Sequence, residues 1–131
     1  MEAFEAWRTG ATDIAEIVHE ESVPFAGRCA WNALASVGPV RRAVAHTAAT
    51  LRRWNDALDE FDAPVAECAT WGMPPWQAIS LLEMAAVAQQ AGRPAALVED
   101  LAARAVSLAD SIGASAAAAR ARDFLRTGLF R

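Results

Sequence analysis

The chain has 131 residues and is 54% hydrophobic, a length that fits one domain and an apolar fraction above the globular average. Its net charge of −4 argues against nucleic-acid binding, which needs a basic patch, and its acidic start lacks the apolar segment of a signal peptide. All twelve basic residues are arginine, which indicates GC-rich coding DNA of the actinobacterial type, and the two widely spaced cysteines predict free, buried thiols in a reducing cytoplasm.

Apolar residues at helical spacing predict a first helix over residues 2–21. One face of this helix carries five of them at steps of three and four: Phe4, Trp7, Ala11, Ile14 and Val18. Gly10 lies in the middle of the segment, and glycine is a poor helix former. We therefore expect a break near residues 9–12.

Ser22 is predicted to cap a second helix over residues 22–37, with Pro24 in its first turn and a stop at Gly38. The apolar residues of this helix are Phe25, Trp31, Leu34 and Val37. A third helix, over residues 40–61 and ending before Pro64, has the most regular pattern in the chain. Its apolar face is predicted to contain Val40, Val44, Thr47, Leu51, Trp54, Leu58 and Phe61. We expect this face to supply the central packing surface.

The segment Trp-Gly-Met-Pro-Pro-Trp, residues 71–76, predicts a rigid corner between two helices. Gly72 suits a left-handed helix end, and the two prolines after it prevent continuation of the preceding helix. The apolar run that follows, up to residue 91, is too short and too polar to cross a bilayer, which needs about 20 apolar residues. It is predicted to form a buried fourth helix, without membrane association.

Two further helices are expected after residue 92. Arg93 and Pro94 begin the fifth, which ends at Gly113, and Ser115 is predicted to cap the sixth. The fold class is therefore all-α, with five to six antiparallel helices in a compact bundle or a short array of hairpins. We expect a single domain over residues 1–131, with a weaker subdivision into 1–72 and 73–131.

The sequence LLEMAAVAQQAGRPAALVEDLAARAVSLADSIGASAAAARARDFL, residues 81–125, resembles the tetratricopeptide-type repeats of large bacterial transcriptional regulators and signalling ATPases. Gly92 and Arg93 match the turn of such a repeat. Ala85 and Ala88 match the small positions of its first helix, and Ala105-Val106-x-Leu108 matches the end of its second. The resemblance implies a tetratricopeptide-like hairpin whose two helices pack closely through small residues.

Possible metal ligands are spaced unlike those of known metal sites. Glu16 and His19 form half of the pattern that di-iron bundles use, but His46 is preceded by Ala43 where a second glutamate would be needed. The two histidines and the two cysteines lack the short spacings of a structural zinc site. We therefore predict no metal and no cofactor, and a solvent-facing His19.

His46 is the best candidate for a catalytic group. It could act as a general base in a pocket, or lie partly buried and bonded to a backbone carbonyl. Three of the five tryptophans fit the apolar stripes less well: Trp31, Trp71 and Trp76. They either fill space between helices or line a ligand pocket with His46.

These observations predict a cytoplasmic protein–protein interaction or regulatory module that binds a protein or peptide partner and has no chemistry of its own. The alternative is a small helical enzyme or ligand-binding protein of bacterial specialised metabolism, with a tryptophan-lined pocket for a small apolar ligand. The apolar excess also predicts a homodimer. Six carboxylates against Arg8 in the first 22 residues, and four arginines after residue 119, either form solvated faces or attract each other or a partner.

Overall fold

The computed structural model of the chain describes residues 2–31 and 36–131. In these residues the fold is all-α apart from one small two-stranded sheet, with seven helices where five or six were expected. The helices are α1 (Glu2–Thr9), α2 (Thr12–Ser22), α3 (Val40–Thr50), α4 (Trp54–Thr70), α5 (Pro74–Gln90), α6 (Ala95–Ser111) and α7 (Ser115–Thr127). The strands are β1 (Cys29–Trp31) and β2 (Ser36–Pro39). The chain divides into two compact units, Met1–Pro64 and Val65–Arg131.

In the first unit, α1 and α2 each pack against α3. The break predicted near residues 9–12 is confirmed: Gly10 has a φ of 74°, and the amides of Gly10 and Ala11 both donate to the carbonyl of Ala6. The break changes the phase of the helix face. Ala15, rather than Ile14, becomes the fully buried residue of α2, and Ile14 lies exposed.

The second helix predicted over residues 22–37 is wrong in the part that the structure describes. Ser22 ends α2 and precedes only one turn of 3₁₀ helix, Val23–Phe25, to which its side chain gives no capping hydrogen bond. Strand β1 then pairs antiparallel with β2. Gly38 has a φ of 94°, which a helix does not allow, and Trp31 and Val37 from the expected apolar face are exposed. Leu34, also expected on that face, lies outside the described residues.

The third predicted helix is two helices. Residues 51–53 form a turn between α3 and α4 in which Arg52 has a φ of 57°. The amide of Arg52 donates to the carbonyl of Ala49 and that of Arg53 to the carbonyl of Ala48, a pattern typical of a helix end. The predicted end before Pro64 is also wrong, because Pro64 lies buried inside α4.

The expected packing face changes with this break. Leu51, Trp54 and Leu58 are only half-buried, whereas Ala57 and Phe61 are fully buried. Since α4 is a separate helix with its own direction, its buried positions no longer follow the phase of α3.

The second unit, which begins within α4 at Val65, contains the corner predicted at residues 71–76. Gly72 has a φ of 66°, and the amide of Met73 donates to the carbonyl of Cys68 at 2.8 Å, which closes the end of α4 before Pro74 starts α5. The corner is therefore confirmed. Its tryptophans are less buried than expected: Trp71 is exposed and Trp76 is half-buried.

Helices α5, α6 and α7 are joined by close contacts between alanines. Ala78 of α5, Ala109 of α6 and Ala118 of α7 form one buried cluster, and such small residues let helix axes approach closely. Helix α5 is buried from Ser80 to Ala88, as predicted for a buried helix. Among the described residues, no helix has the length and apolarity needed to traverse a bilayer.

Candidate functional site

His46 lies in the core of the first unit, inside a cluster of aromatic rings. Its side chain is on α3 and only 2% exposed. The ring of Trp7 stacks on the imidazole with centroids 5.1 Å apart and an interplanar angle of 9°. Phe4 and Phe61 each meet the imidazole edge-on, with centroids 5.5 Å away. Rings from α1 and α4 therefore enclose the histidine, in geometries that aromatic pairs prefer.

This cluster depends on the turn at Arg52. Phe61 follows His46 by 15 residues, which in one straight helix would separate them by about 22 Å. Because the chain reverses between α3 and α4, the two rings touch instead. Glu60 and Arg41 are brought together in the same way, with the carboxylate Oε2 accepting from Nη1 at 3.2 Å. His46 is thus almost fully removed from solvent and packed among three aromatic rings.

The three tryptophans proposed to line a ligand pocket lie in different surroundings. Trp31 is on β1 of the first unit and is 69% exposed. Trp71 follows the end of α4 and is 39% exposed, while Trp76 lies in the first turn of α5, both in the second unit. Within the first unit, the rings that enclose His46 come from other residues than Trp31.

His19 was expected to face solvent, but it is half-buried and joins α2 to α3. Its Nδ1 lies 2.7 Å from the hydroxyl oxygen of Thr47. Thr47 is fully buried, and its hydroxyl also lies within hydrogen-bond distance of the carbonyls of Ala43 and Val44, so the contact with His19 ties α2 to the interior of α3. In the part of the chain that the structure describes, no group of three or more histidine, cysteine or carboxylate side chains is placed to hold a metal ion.

An apolar groove with an acidic border lies between α1 and α2, and we call it the acidic groove. Its volume is about 470 Å³. Each helix lines it with four residues at the spacing i, i+3, i+4 and i+7, which is one face of a helix. These are Glu2, Glu5, Ala6 and Thr9 on α1, and Ile14, Ile17, Val18 and Glu21 on α2.

The two walls of the acidic groove differ in chemistry. The α2 wall is apolar except for Glu21 at its end, with Ile14 45% exposed and Ile17 61% exposed. The α1 wall carries the carboxylates of Glu2 and Glu5. Arg8 neutralises part of this charge, since its guanidinium donates to Oε2 of Glu5 at 2.9 and 3.1 Å. The groove therefore offers aliphatic surface on one side and negative charge on the other.

Sequence reasoning missed this surface because it treated residues 2–21 as one face. The spacing predicts Ile14 and Val18 on the same helix face as Trp7, and it predicts nothing for Ile17. A signal was present: Ile14, Ile17 and Val18 stand at i, i+3 and i+4 after the break at Gly10. Taken alone, α2 therefore has an apolar stripe separate from its buried Ala15.

A second groove lies between α6 and α7 in the second unit, and we call it the α6–α7 groove. Its volume is about 260 Å³. Its lining includes Val98, Phe124 and Leu125, of which Leu125 is exposed. Both signs of charge are present at this groove, from Arg93 and Glu99.

Comparison with known proteins adds no relative to this description. No family model matches the sequence, and no curated protein or solved structure matches it significantly. The resemblance to tetratricopeptide-type repeats therefore stays a prediction, and the candidate site rests on the geometry of this chain alone.

Proposed function

We propose that the protein is a protein–protein interaction or regulatory module that binds a protein or peptide partner in the acidic groove and has no chemistry of its own. The observation that carries this proposal is the exposure of Ile14 and Ile17 side by side on α2. Contiguous apolar surface rimmed by polar residues marks interaction sites, whereas single exposed apolar residues do not.

The surroundings of His46 support this function over the enzyme or ligand-binding alternative. A catalytic or ligand-binding pocket places a few polar groups on a concave apolar surface. The imidazole of His46 instead packs among Phe4, Trp7 and Phe61. Neither of the two grooves described above is lined by a histidine or a tryptophan.

Two further features fit a regulatory module of the cytoplasm. Ala85 and Ala88, the small positions in the first helix of the proposed repeat, are buried, and so is Ala105 towards the end of its second helix, as close packing of a repeat hairpin requires. Cys29 is half-buried and Cys68 buried, and neither forms a disulfide, which suits a reducing compartment. The buried alanines and the cysteines are both consistent with a short helical scaffold in the cytoplasm that presents the acidic groove to a partner.

The test is a comparative capture experiment in cells that encode the protein. The parent chain, Ile17→Arg and the control Ile112→Arg are each immobilised, and bound proteins are quantified by mass spectrometry. Arginine keeps helix propensity high while removing the apolar contact. Ile112 is an exposed isoleucine of the second unit, so it reports on the general effect of the substitution.

The proposal predicts a protein that the parent and Ile112→Arg retain and Ile17→Arg loses. Matching melting temperatures for the three proteins show that the loss is not caused by unfolding. Equal capture by all three would exclude the acidic groove as the binding surface.

A further inference from the structure

We infer that the occupant of the acidic groove is a basic amphipathic helix of a partner protein, with its apolar stripe against α2 and its lysines or arginines towards α1. This inference rests on the proposed function and adds the chemical class of the partner.

The shape of the groove indicates a helical occupant. Both walls present residues at i, i+3, i+4 and i+7, which are the rows of side chains that pack between the rows of another helix. Helix α2 has 11 residues, equivalent to about 16 Å of length. A segment of about three turns would therefore cover Ile14, Ile17 and Val18 together.

The charge of the groove indicates that the occupant is basic. Glu2 and Glu5 border one side and Glu21 lies at the far end of the α2 wall. The Arg8–Glu5 pair is exposed, with about half or more of each side chain in solvent, and exposed pairs contribute little stability. An arginine of the partner can therefore replace Arg8 at Glu5 without a large loss.

The same charges argue against a second copy of this chain pairing groove to groove. Such a symmetric contact would bring the carboxylates of Glu2, Glu5 and Glu21 from both copies into one interface, and an excess of like charge across an interface is unfavourable.

Helix α7 is a poorer match than a separate partner, because its largest apolar side chain is packed in the second unit, although its arginines make only exposed contacts there. Arg122 donates to Asp110, and Arg126 to Asp123 at 2.6 Å. Arg120 donates to the carbonyl of Arg131 at 3.0 Å. The largest apolar side chain of α7, Phe124, is buried.

The experiment measures binding of fluorescein-labelled synthetic peptides to the full chain by fluorescence anisotropy. The main probe has about 14 residues, with leucines at steps of three and four and lysines along one flank of that stripe. One control peptide has the same composition in scrambled order. Another keeps the leucines and replaces each lysine by glutamate, and a third is the chain's own residues 115–131.

We expect the basic amphipathic peptide to bind at least about tenfold more tightly than each control. Added salt should weaken this binding, because the charges lie at the surface. Ile17→Arg should weaken it at least about tenfold, whereas Ile112→Arg should leave it unchanged. Glu21→Arg should reduce the preference for lysine over glutamate in the flank.

Equal binding of the scrambled peptide would overturn the helical stripe, and equal binding of the glutamate peptide would overturn the basic partner. If the peptide of residues 115–131 binds more tightly than the basic amphipathic peptide, the occupant of the acidic groove is α7 of a second copy of this chain and not a separate partner. Failure of the whole panel, together with a captured protein that Ile17→Arg loses, would overturn this inference and leave the proposed function intact. If the basic peptide binds but the parent, Ile17→Arg and Ile112→Arg all capture the same cellular proteins equally, the proposed function alone is contradicted.

Discussion

Arg52 occupies the left-handed backbone region between α3 and α4, with a φ of 57°. For a residue with a Cβ this conformation costs roughly 1–2 kcal/mol, which is why glycine or asparagine is usual at such a helix end. The turn is retained because it brings α4 back to α3, where Phe61 meets His46 and Glu60 meets Arg41. The strain at one residue is offset by the packing that the reversal permits.

Arg52→Gly should therefore stabilise the protein. Glycine relieves the left-handed strain, although it also gives the unfolded chain more freedom, so we expect a gain of about 0.5–1 kcal/mol in the free energy of unfolding. Urea denaturation followed by circular dichroism measures this. Arg53→Gly, in the same turn but without positive φ, is the control and should not stabilise. Equal effects of the two substitutions would show that Arg52 is not strained.

A substitution of the single residue Gly72 tests the corner between α4 and α5. Its φ of 66° is positive, and a Cβ added there would have no atom within 4 Å, so the cost of a substitution comes from the backbone alone. Gly72→Ala should lower the free energy of unfolding by roughly 1–2 kcal/mol. Gly27 also has open space but no positive φ, so Gly27→Ala should change stability little. If thermal denaturation shows the same decrease in melting temperature for Gly72→Ala and Gly27→Ala, the left-handed conformation of Gly72 does not matter for stability.

At the scale of elements, the packing of α4 against α3 depends on Phe61 rather than on the regular stripe of leucines. Phe61 is fully buried, whereas Leu51 and Leu58 are half-buried. Phe61→Ala should cost about 3–5 kcal/mol, the usual range for a buried aromatic side chain. Leu51→Ala and Leu58→Ala should each cost clearly less. If urea denaturation shows that either leucine variant loses as much free energy of unfolding as Phe61→Ala, the predicted apolar face over residues 40–61 is part of the core after all.

The elements differ in how well the sequence predicts them, for physical reasons. Helices α5, α6 and α7 are bounded by glycine and proline, which act locally, and their predicted limits agree with the structure within a few residues. The break at Arg52 has no local signal, because the apolar steps continue across it and the turn is fixed by distant ring contacts. The groove was missed for a related reason, since Gly10 shifts Ile14 from the core to the surface.

At the scale of the whole molecule, the two grooves differ in the charges that line them. The α6–α7 groove carries Arg93 and Glu99 as well as exposed Leu125, so two copies can place opposite charges against each other in a symmetric contact. The acidic groove lacks this self-complementarity. We therefore propose that the homodimer predicted from the apolar composition forms through the α6–α7 groove.

Leu125→Glu should weaken this dimer, because it places a carboxylate in the apolar centre of the contact. Light scattering at increasing concentration should show the parent as a dimer and Leu125→Glu shifted towards monomer. Ile17→Arg, in the acidic groove, should remain dimeric. A parent chain that is monomeric at high micromolar concentration would contradict the dimer.

The most direct measurement of the central claim is a nuclear magnetic resonance titration of the ¹⁵N-labelled chain with the basic amphipathic peptide. It reports on each amide without a substitution in the protein. We expect the largest changes in amide chemical shift in α1 and α2, around Glu5, Ile14, Ile17 and Glu21. Ile17→Arg should remove these changes. Changes centred on the α6–α7 groove, with α1 and α2 unaffected, would contradict a partner helix in the acidic groove.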